Sequence, residues 1–429
     1  MTASPSLLFN SLVFLVFAVV FYAAWPLLRR SDASRWAGLT AASLLFYGWW
    51  DWRFVPLLIA SGLLDFCVGA GMTRRPEHKK ALLALSVIGN VGLLAFFKSP
   101  AWSVLPVGIS FYTFQSMSYT LDIYRGRLKP TDSVLHFFAY LAMFPQLVAG
   151  PVVRARDLLP QLRSAAPPSP ARRWEGLRLI VLGFFQKLVL ADNLAPAVDA
   201  AFGAAQLSSE PTFWWLAASM FALQIYFDFS GYSLIARGLA NWMGYDFPSN
   251  FRFPYAASSL RDFWHRWHIS LSTWFRDYVY IPLGGSRAGR SAGLRNLWIT
   301  MVLSGVWHGA TWTFVTWGAV HATLVTIERL TRWPERLQRW TGGTRAGWLL
   351  TLAQVVAALV VFRSDSLAQA GQILSHMADV TQIAPEQALQ LGPRALTVLV
   401  LAALGEAWAA GGRRIPQKWE PVALALGTA

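Results

Sequence analysis

The sequence predicts an all-α polytopic membrane protein with about ten apolar crossings, plus helices that enter or line the bilayer without crossing it. Three observations predict it. The 429 residues are 55% hydrophobic and only 14% charged, against about 25% charged in soluble domains. Several windows reach the roughly 20 apolar residues that a crossing needs. The basic residues also fall in short segments between apolar runs: Arg29, Arg30 and Arg35; Arg74, Arg75, Lys79 and Lys80; Arg125, Arg127 and Lys129. That distribution places the connecting loops on the cytoplasmic side, against anionic lipid. The formal net charge of +15 therefore reports membrane orientation, and nucleic acid is set aside as a partner in favour of membrane lipid.

Taken in order, the first run is Leu7–Leu28, too long for a signal-peptide core and without a basic leader, hence a retained span. Trp36–Met72 is too long for one crossing and reads as two, with Asp51 and Arg53 of "FYGWWDWRFV" at the turn. Ala81–Phe97 follows. Leu105–Gly126 carries Gln115, Ser116, Ser118 and Asp122, too polar to face lipid, so it is expected to be buried among helices or re-entrant. Val134–Val153 contains Pro145, Gly150 and Pro151 and is expected to bend or stop inside protein. After a Pro-, Ser- and Arg-rich stretch, Arg154–Trp174, helical runs resume at Gly176–Leu190 and Thr212–Leu239. The polar-aromatic segment Asn241–Arg290 precedes the long run Leu297–Ile327; Gly347–Phe362 and Ala395–Ala410 close the chain, with a helical pattern near Leu367–Met377. The lone cysteine, Cys67, excludes an intrachain disulfide and a Cys-based metal cluster. There is no phosphate loop or plausible dinucleotide fingerprint, and no internal repeat of the kind that builds many transporters.

The candidate chemistry lies in the histidines. His78 and His376 fall in polar stretches and read as solvated; His136, at the start of an apolar run, reads as interfacial. His265 and His268 are three apart, on one face if helical, and without a nearby carboxylate or Cys they make a weak metal set. Their segment, "RDFWHRWHISLSTWFRDYVYIPLGG", has the composition of an amphipathic helix lying in the membrane interface. Asp228 stands in an apolar helix, where a carboxylate must be paired, hydrogen-bonded or neutral, with Ser230 or Tyr232 as network partners. His308 stands in "LSGVWHGATWTF", a stretch without Lys, Arg, Asp or Glu from Thr300 to Thr326. Desolvation keeps such an imidazole neutral and ready as a base, which suits acyl transfer to a hydroxyl; Gly305 and Gly309 leave room for a narrow tunnel beside it. The run alone leaves base and packed histidine both open. His321 would lie about 20 Å from His308 along an unbroken helix and read as a helix-packing hydrogen bond.

These residues resemble the signatures of the membrane-bound O-acyltransferases, and within them the bacterial branch that O-acetylates extracellular polysaccharides such as alginate. "RWHISLSTWFRDYVYIPLGGSR" and "SGVWHGATWTFVTWGAVH" carry the resemblance, with "LFNSLVFLVF", "LPVGISFYTFQSMSYTLDIYRG", "FPQLVAGPVVRARDLLPQL", "FDFSGYSLIARGLA" and "VFRSDSL" in family order. The resemblance implies a single integral membrane domain over residues 1–429: N-terminal helices to residue 100, a catalytic core over 101–327, and C-terminal helices over 328–429. It assigns the family's invariant histidine to His308, as general base or orienter of the acceptor hydroxyl, and the second family histidine to His268, shaping the cytoplasmic approach. His265 stands where relatives carry Arg and is assigned no role. Candidate substrate-binding positions are Asp228, Trp264, Arg266, Trp267, Ser270, Trp274, Arg276, Asp277, Tyr278, Ser304, Trp307 and Trp312, with Arg266 and Arg276 toward donor phosphates. The implied donor is acetyl-CoA or another acyl thioester on the cytoplasmic side. No metal or permanently bound cofactor is implied, and a periplasmic acetyltransferase partner completes the polysaccharide modification from the inner membrane. The rivals are D-alanyl transfer toward teichoic acid, and a transporter or scaffold whose histidines only pack. Two departures from the family pattern are a missing loop before "PVGISFYTF" and a short C-terminus; neither touches His308 or His268.

Overall fold

The computed structural model describes residues 9, 11–99, 104–147, 150–164, 166–287, 289–379, 381 and 383–410. Every regular element among them is helical. They pack as two units, Met1–Ile180 with Tyr232–Ser249 and Val181–Gly231 with Asn250–Ala429.

In the first unit, α1 (Leu12–Leu28) begins at Ser11, whose hydroxyl accepts from the Phe14 amide; Leu7, where the apolar run starts, lies outside the described residues. A reciprocal Ser31–Ser34 cap opens α2 (Asp32–Asp51). One turn of 3₁₀ helix, Trp52–Phe54, joins it to α3 (Val55–Arg74). That break falls at the two charges expected there: the Arg53 guanidinium grips the Asp51 carboxylate at 2.9 and 2.5 Å. α4 (Lys79–Phe97) and α5 (Ile109–Tyr124) follow. The polar α5 is buried along most of its length, as its composition required, and the reason lies partly in α3. Asp65, fully buried, accepts from Ser86 at 2.6 Å, Asn90 at 2.7 Å and Ser116 of α5. Such a carboxylate is tolerable in an apolar helix because hydroxyls and an amide replace its water.

The next run breaks up, as its prolines and glycine required, into α6 (Val134–Leu141), α7 (Phe144–Leu147) and α8 (Ala155–Leu158). His136 is not interfacial. It is 1% exposed, stacks on Trp36 at 4.3 Å, donates from Nε2 to the Leu159 carbonyl and accepts at Nδ1 from Thr131. With both nitrogens satisfied inside protein, the ring has no need of the headgroup layer.

In the second unit, α9 (Pro170–Phe184), which starts in the first, widens into a π-helical turn at Phe185–Ala191 before α10 (Asp192–Phe202). α11 (Pro211–Met243) runs for 33 residues and contributes to both units. Two seven-residue helices, α12 (Leu260–Arg266) and α13 (Ile269–Phe275), lead to α14 (Arg290–His308) and α15 (Trp312–Thr331). α16 (Trp333–Thr341), α17 (Arg345–Arg363), α18 (Leu367–Ala378) and α19 (Pro393–Ala410) complete it. Trp214, Leu194, Val198, Leu260, Phe263, Val355, Val360 and Ile373 form its core.

α14 and α15 cross closely and antiparallel. A Cβ on Gly305 would strike the Phe314 carbonyl, and one on Gly318 the Met301 carbonyl. Among the described residues, four helical runs are long and apolar enough to cross a membrane: Asp32–Arg74, Pro76–Phe97, Pro170–Phe202 and Arg345–Arg363. Pro385–Leu391 and Pro393–Trp408 together reach that length and apolarity but are bent by 94° at their junction, as in a broken span or a re-entrant loop. The apolar α1 is shorter, at 17 residues, and the long run Leu297–Ile327 is interrupted at the break between α14 and α15.

Candidate active site

His308 is the last residue of α14. Gly309 leaves the helix in an extended conformation, and α15 restarts at Trp312, so the long apolar run of the sequence is a helical hairpin. The imidazole is half-buried. Four aromatic rings surround it: Trp307 at 4.8 Å, Phe362 at 5.2 Å, Trp317 at 5.4 Å and Phe314 at 6.3 Å. The space expected beside Gly305 and Gly309 is not a tunnel. The Phe314 backbone fills the first and its ring the second.

His268 sits where the chain breaks between α12 and α13, in the left-handed region at φ 42° and ψ 53°. His265 and His268 therefore do not share a helix face, and the segment is not one interfacial helix. Asn250 explains the break. Its carbonyl accepts from the Ile269 amide at 2.8 Å and its side-chain oxygen from the Ser270 hydroxyl at 2.6 Å. His268 is 3% exposed, edge-on to Phe229 at 4.6 Å and 6.2 Å from Trp307. Burial holds its imidazole well below the ordinary histidine value, and nearby His308 pushes the same way.

Both histidines open onto one cavity of about 960 Å³. Its α14 wall is one helical stripe, Leu297, Thr300, Met301, Ser304 and His308, about 17 Å long at 1.5 Å per residue. His308 is the last residue of that stripe. Arg261, Arg276, Arg329 and Arg332 also line the cavity, with Glu328 and Glu335 as its carboxylates. Glu328 is buried and accepts the backbone amides of Leu260 at 2.6 Å and Arg261 at 3.1 Å. An acid of α15 thus caps α12 and fixes the helix that carries Trp264 and His265. The sequence reading missed it; the only signal was a carboxylate closing an apolar run.

Of the sequence-predicted positions, His308, His268, Trp264, Trp267, Arg276 and Ser304 line this cavity, as does His265. The others do not. Ser270 bonds Asn250. Arg266 is paired with Asp262 at 2.8 Å, which draws it away from a donor. Asp277 is buried against Arg276 at 2.7 Å. Trp274 packs on Tyr278 at 5.0 Å. Trp307 packs between the two histidine rings. Trp312 is 75% exposed beyond the helical break.

Asp228 lies away from the cavity and is held by Lys187 at 2.5 Å, a residue the sequence reading did not pair with it; Lys187 also meets Asp192 at 2.7 Å. Gly231 lies against the carbonyl of Gly183 and the amide of Lys187, so α11 approaches the π-helical turn closely enough for that ion pair. His321 lacks the expected hydrogen bond at Nδ1 and packs among Trp264, Trp317 and Phe263. Among the described residues no three His, Cys, Asp or Glu side chains form a metal-ligand group.

Comparison with known proteins gives one family. Residues 125–367 match the model of the MBOAT, membrane-bound O-acyltransferase, family. The chain is 38% identical over 397 residues to the probable alginate O-acetylase AlgI of Pseudomonas syringae pv. tomato, covering 86% of this chain and 74% of that one. Against the Pseudomonas aeruginosa protein of the same description it is 36% identical over 436 residues, covering 93% and 81%. With the peptidoglycan O-acetyltransferase of Helicobacter pylori it shares 34% over 384 residues, covering 79% and 73%.

Proposed function

The chain belongs to the membrane-bound O-acyltransferase family, and on that premise we propose that this multi-pass O-acyltransferase moves acetyl groups from a cytoplasmic thioester across the inner membrane, for O-acetylation of an extracellular polysaccharide such as alginate. The observation that carries the reading is the cavity whose α14 stripe ends on His308, with His268 in the same wall.

In the proposed step the acceptor hydroxyl oxygen attacks the thioester carbonyl while the His308 imidazole takes the hydroxyl proton. The new C–O bond forms, the C–S bond breaks, and the imidazolium returns the proton to the departing thiolate. A thioester and an alcohol become an ester and a thiol, with nothing left over. His268 borders the donor side. Arg261, Arg329 and Arg332 offer guanidinium forks to donor phosphates, while Arg276 is held by Asp277. A periplasmic partner carries the acetyl group to the polymer.

Purified protein in lipid vesicles, given labelled acetyl-CoA and a soluble acceptor alcohol, tests this. Acetyl ester should form with the wild type and be lost in His308→Ala with the fold intact by thermal melting. Unaltered turnover in that variant removes His308 from the mechanism. Ester formed from a D-alanyl carrier thioester in place of acetyl moves the protein to the D-alanyl reading. Flux of substrate across the vesicle without any ester makes it a transporter.

A further inference from the structure

The short helix α16 leaves its apolar face largely uncovered. Trp333, Leu337 and Trp340 recur at the four- and three-residue intervals that put side chains on one helix face. No residue of α16 is buried, and Trp340 is 90% exposed. The other face turns to the cavity, where Pro334, Glu335 and Gln338 belong to the wall. Chain position sets the depth of the helix: α17, long and apolar enough to cross a membrane, begins at Arg345, directly after the Gly342–Thr344 turn that ends α16. α16 therefore lies at one end of a crossing. Charge sets the side. From residue 332 to 345 stand four arginines and one acid, Glu335, the balance of a cytoplasmic connection. Arg336 and Arg339 are exposed, and Arg336 lies one turn from both Trp333 and Trp340 along the flank of the apolar face.

We propose that α16 lies in the cytoplasmic headgroup layer, with Trp333, Leu337 and Trp340 dipped into the leaflet and Arg336 and Arg339 on anionic phospholipid, so that bound lipid holds one rim of the donor cavity. The cavity's link to the donor rests on the acyl-transfer reading; the placement of the helix does not. A helix apolar on one face and basic along its flank lies in the plane of the interface, and it binds more strongly as buried apolar area and lipid charge increase. Indole rings favour that depth. Arginine stems run along the apolar face and carry their guanidinium groups up to the phosphates, where each cation adds to the attraction of an anionic surface. Held there, the helix keeps Glu335 and Gln338 against the cavity on its opposite side.

The test puts a nitroxide on Trp340→Cys in the full-length protein, with the exposed Cys67 replaced by serine, in vesicles of phosphatidylcholine alone or mixed with phosphatidylglycerol. Relaxation of the label by oxygen, which dissolves in lipid, is compared with relaxation by a neutral nickel chelate, which stays in water. In mixed vesicles oxygen should reach the label and nickel should not; a label on Gln338→Cys, on the cavity face, should show the reverse. Pure phosphatidylcholine, or Arg336→Gln with Arg339→Gln in mixed vesicles, should raise the nickel-accessible population at Trp340→Cys by about tenfold or more, the scale for two arginines leaving an anionic surface. A label open to nickel in every vesicle overturns the proposal. So does a label hidden from both reagents, which would mean that a second copy covers the face, and so does shielding that lipid charge and the two substitutions leave unchanged. Trp340→Ser, which keeps every charge in place, should raise KM for acetyl-CoA several-fold in mixed vesicles at unchanged kcat; an unchanged KM overturns the link to the cavity. The label measurements need no turnover, so a protein that transfers no acyl group would end the acyl-transfer reading and leave the placement of α16 to be decided by them.

Discussion

His308 and His321 both rest edge-on against Trp317, with ring centroids 5.4 and 4.8 Å from the indole. An unbroken helix would hold them about 20 Å apart; the turn after His308 brings them onto one ring. Their surroundings differ. His308 faces the cavity, whereas His321 is 1% exposed and its Nδ1 has no hydrogen-bond partner. A buried nitrogen without a partner costs about 1–3 kcal/mol of desolvation, so His321→Leu should leave stability unchanged or raise it, and keep acyl transfer. His308→Leu should abolish transfer. Parallel melting and transfer assays check both, and loss of transfer in His321→Leu at unchanged stability would give His321 a part in the chemistry.

The α14–α15 crossing makes a second prediction. A methyl group on Gly305 meets a backbone carbonyl that cannot swing aside. Gly305→Ala should cost about 1–3 kcal/mol and lower kcat by displacing His308 one turn away. Thermal melting and kcat measured together check it; a full-rate, wild-type-stable variant would mean the hairpin can open without consequence.

Lys187 is held between Asp192 and Asp228. Lys187→Met should destabilise by about 1–3 kcal/mol, less than the loss of a fully buried pair, because Asp228 is 41% exposed. Adding Asp228→Leu should restore much of that loss, giving a coupling of about 1 kcal/mol or more in a double-mutant cycle. Additive losses would show that the pair does not act as one.

The depressed His268 value fixes a direction with pH. The folded state keeps this ring neutral, while the unfolded chain takes up a proton below about pH 6.5. The unfolded state then binds more protons, so this contribution is complete above about pH 6.5 and lost as pH falls from there toward the folded-state value. His268→Asn, which tolerates the left-handed backbone, should flatten the decline in melting temperature between pH 7.5 and 5.5. Equal slopes for wild type and variant would refute the assignment.

The legible parts of this molecule are those that local chemistry decides. Polar α5 had to be buried, Pro145, Gly150 and Pro151 had to break a helix, and Asp51 with Arg53 had to mark a turn. What escaped is pairing across sequence. Asp65 finds Ser86, Asn90 and Ser116; Asp228 finds Lys187; Glu328 finds the amides of Leu260 and Arg261. None of those partners is within helical reach, so periodicity carries no trace of them. The His265/His268 spacing misled for a related reason: a three-residue interval suggests a helix face, but Asn250 captures the chain at that point and turns it.

Because α14 stops at His308, the imidazole belongs to the last turn of a 19-residue helix. The peptide dipoles of that helix leave a partial negative charge at this end, which favours a cation there by about 0.3–1 kcal/mol. An imidazolium formed on His308 would therefore be eased by the backbone alone, in a place where no carboxylate lines the helix between Thr300 and Thr326. The chain thus supplies a counter-charge that cannot itself be protonated or compete with the histidine for the proton.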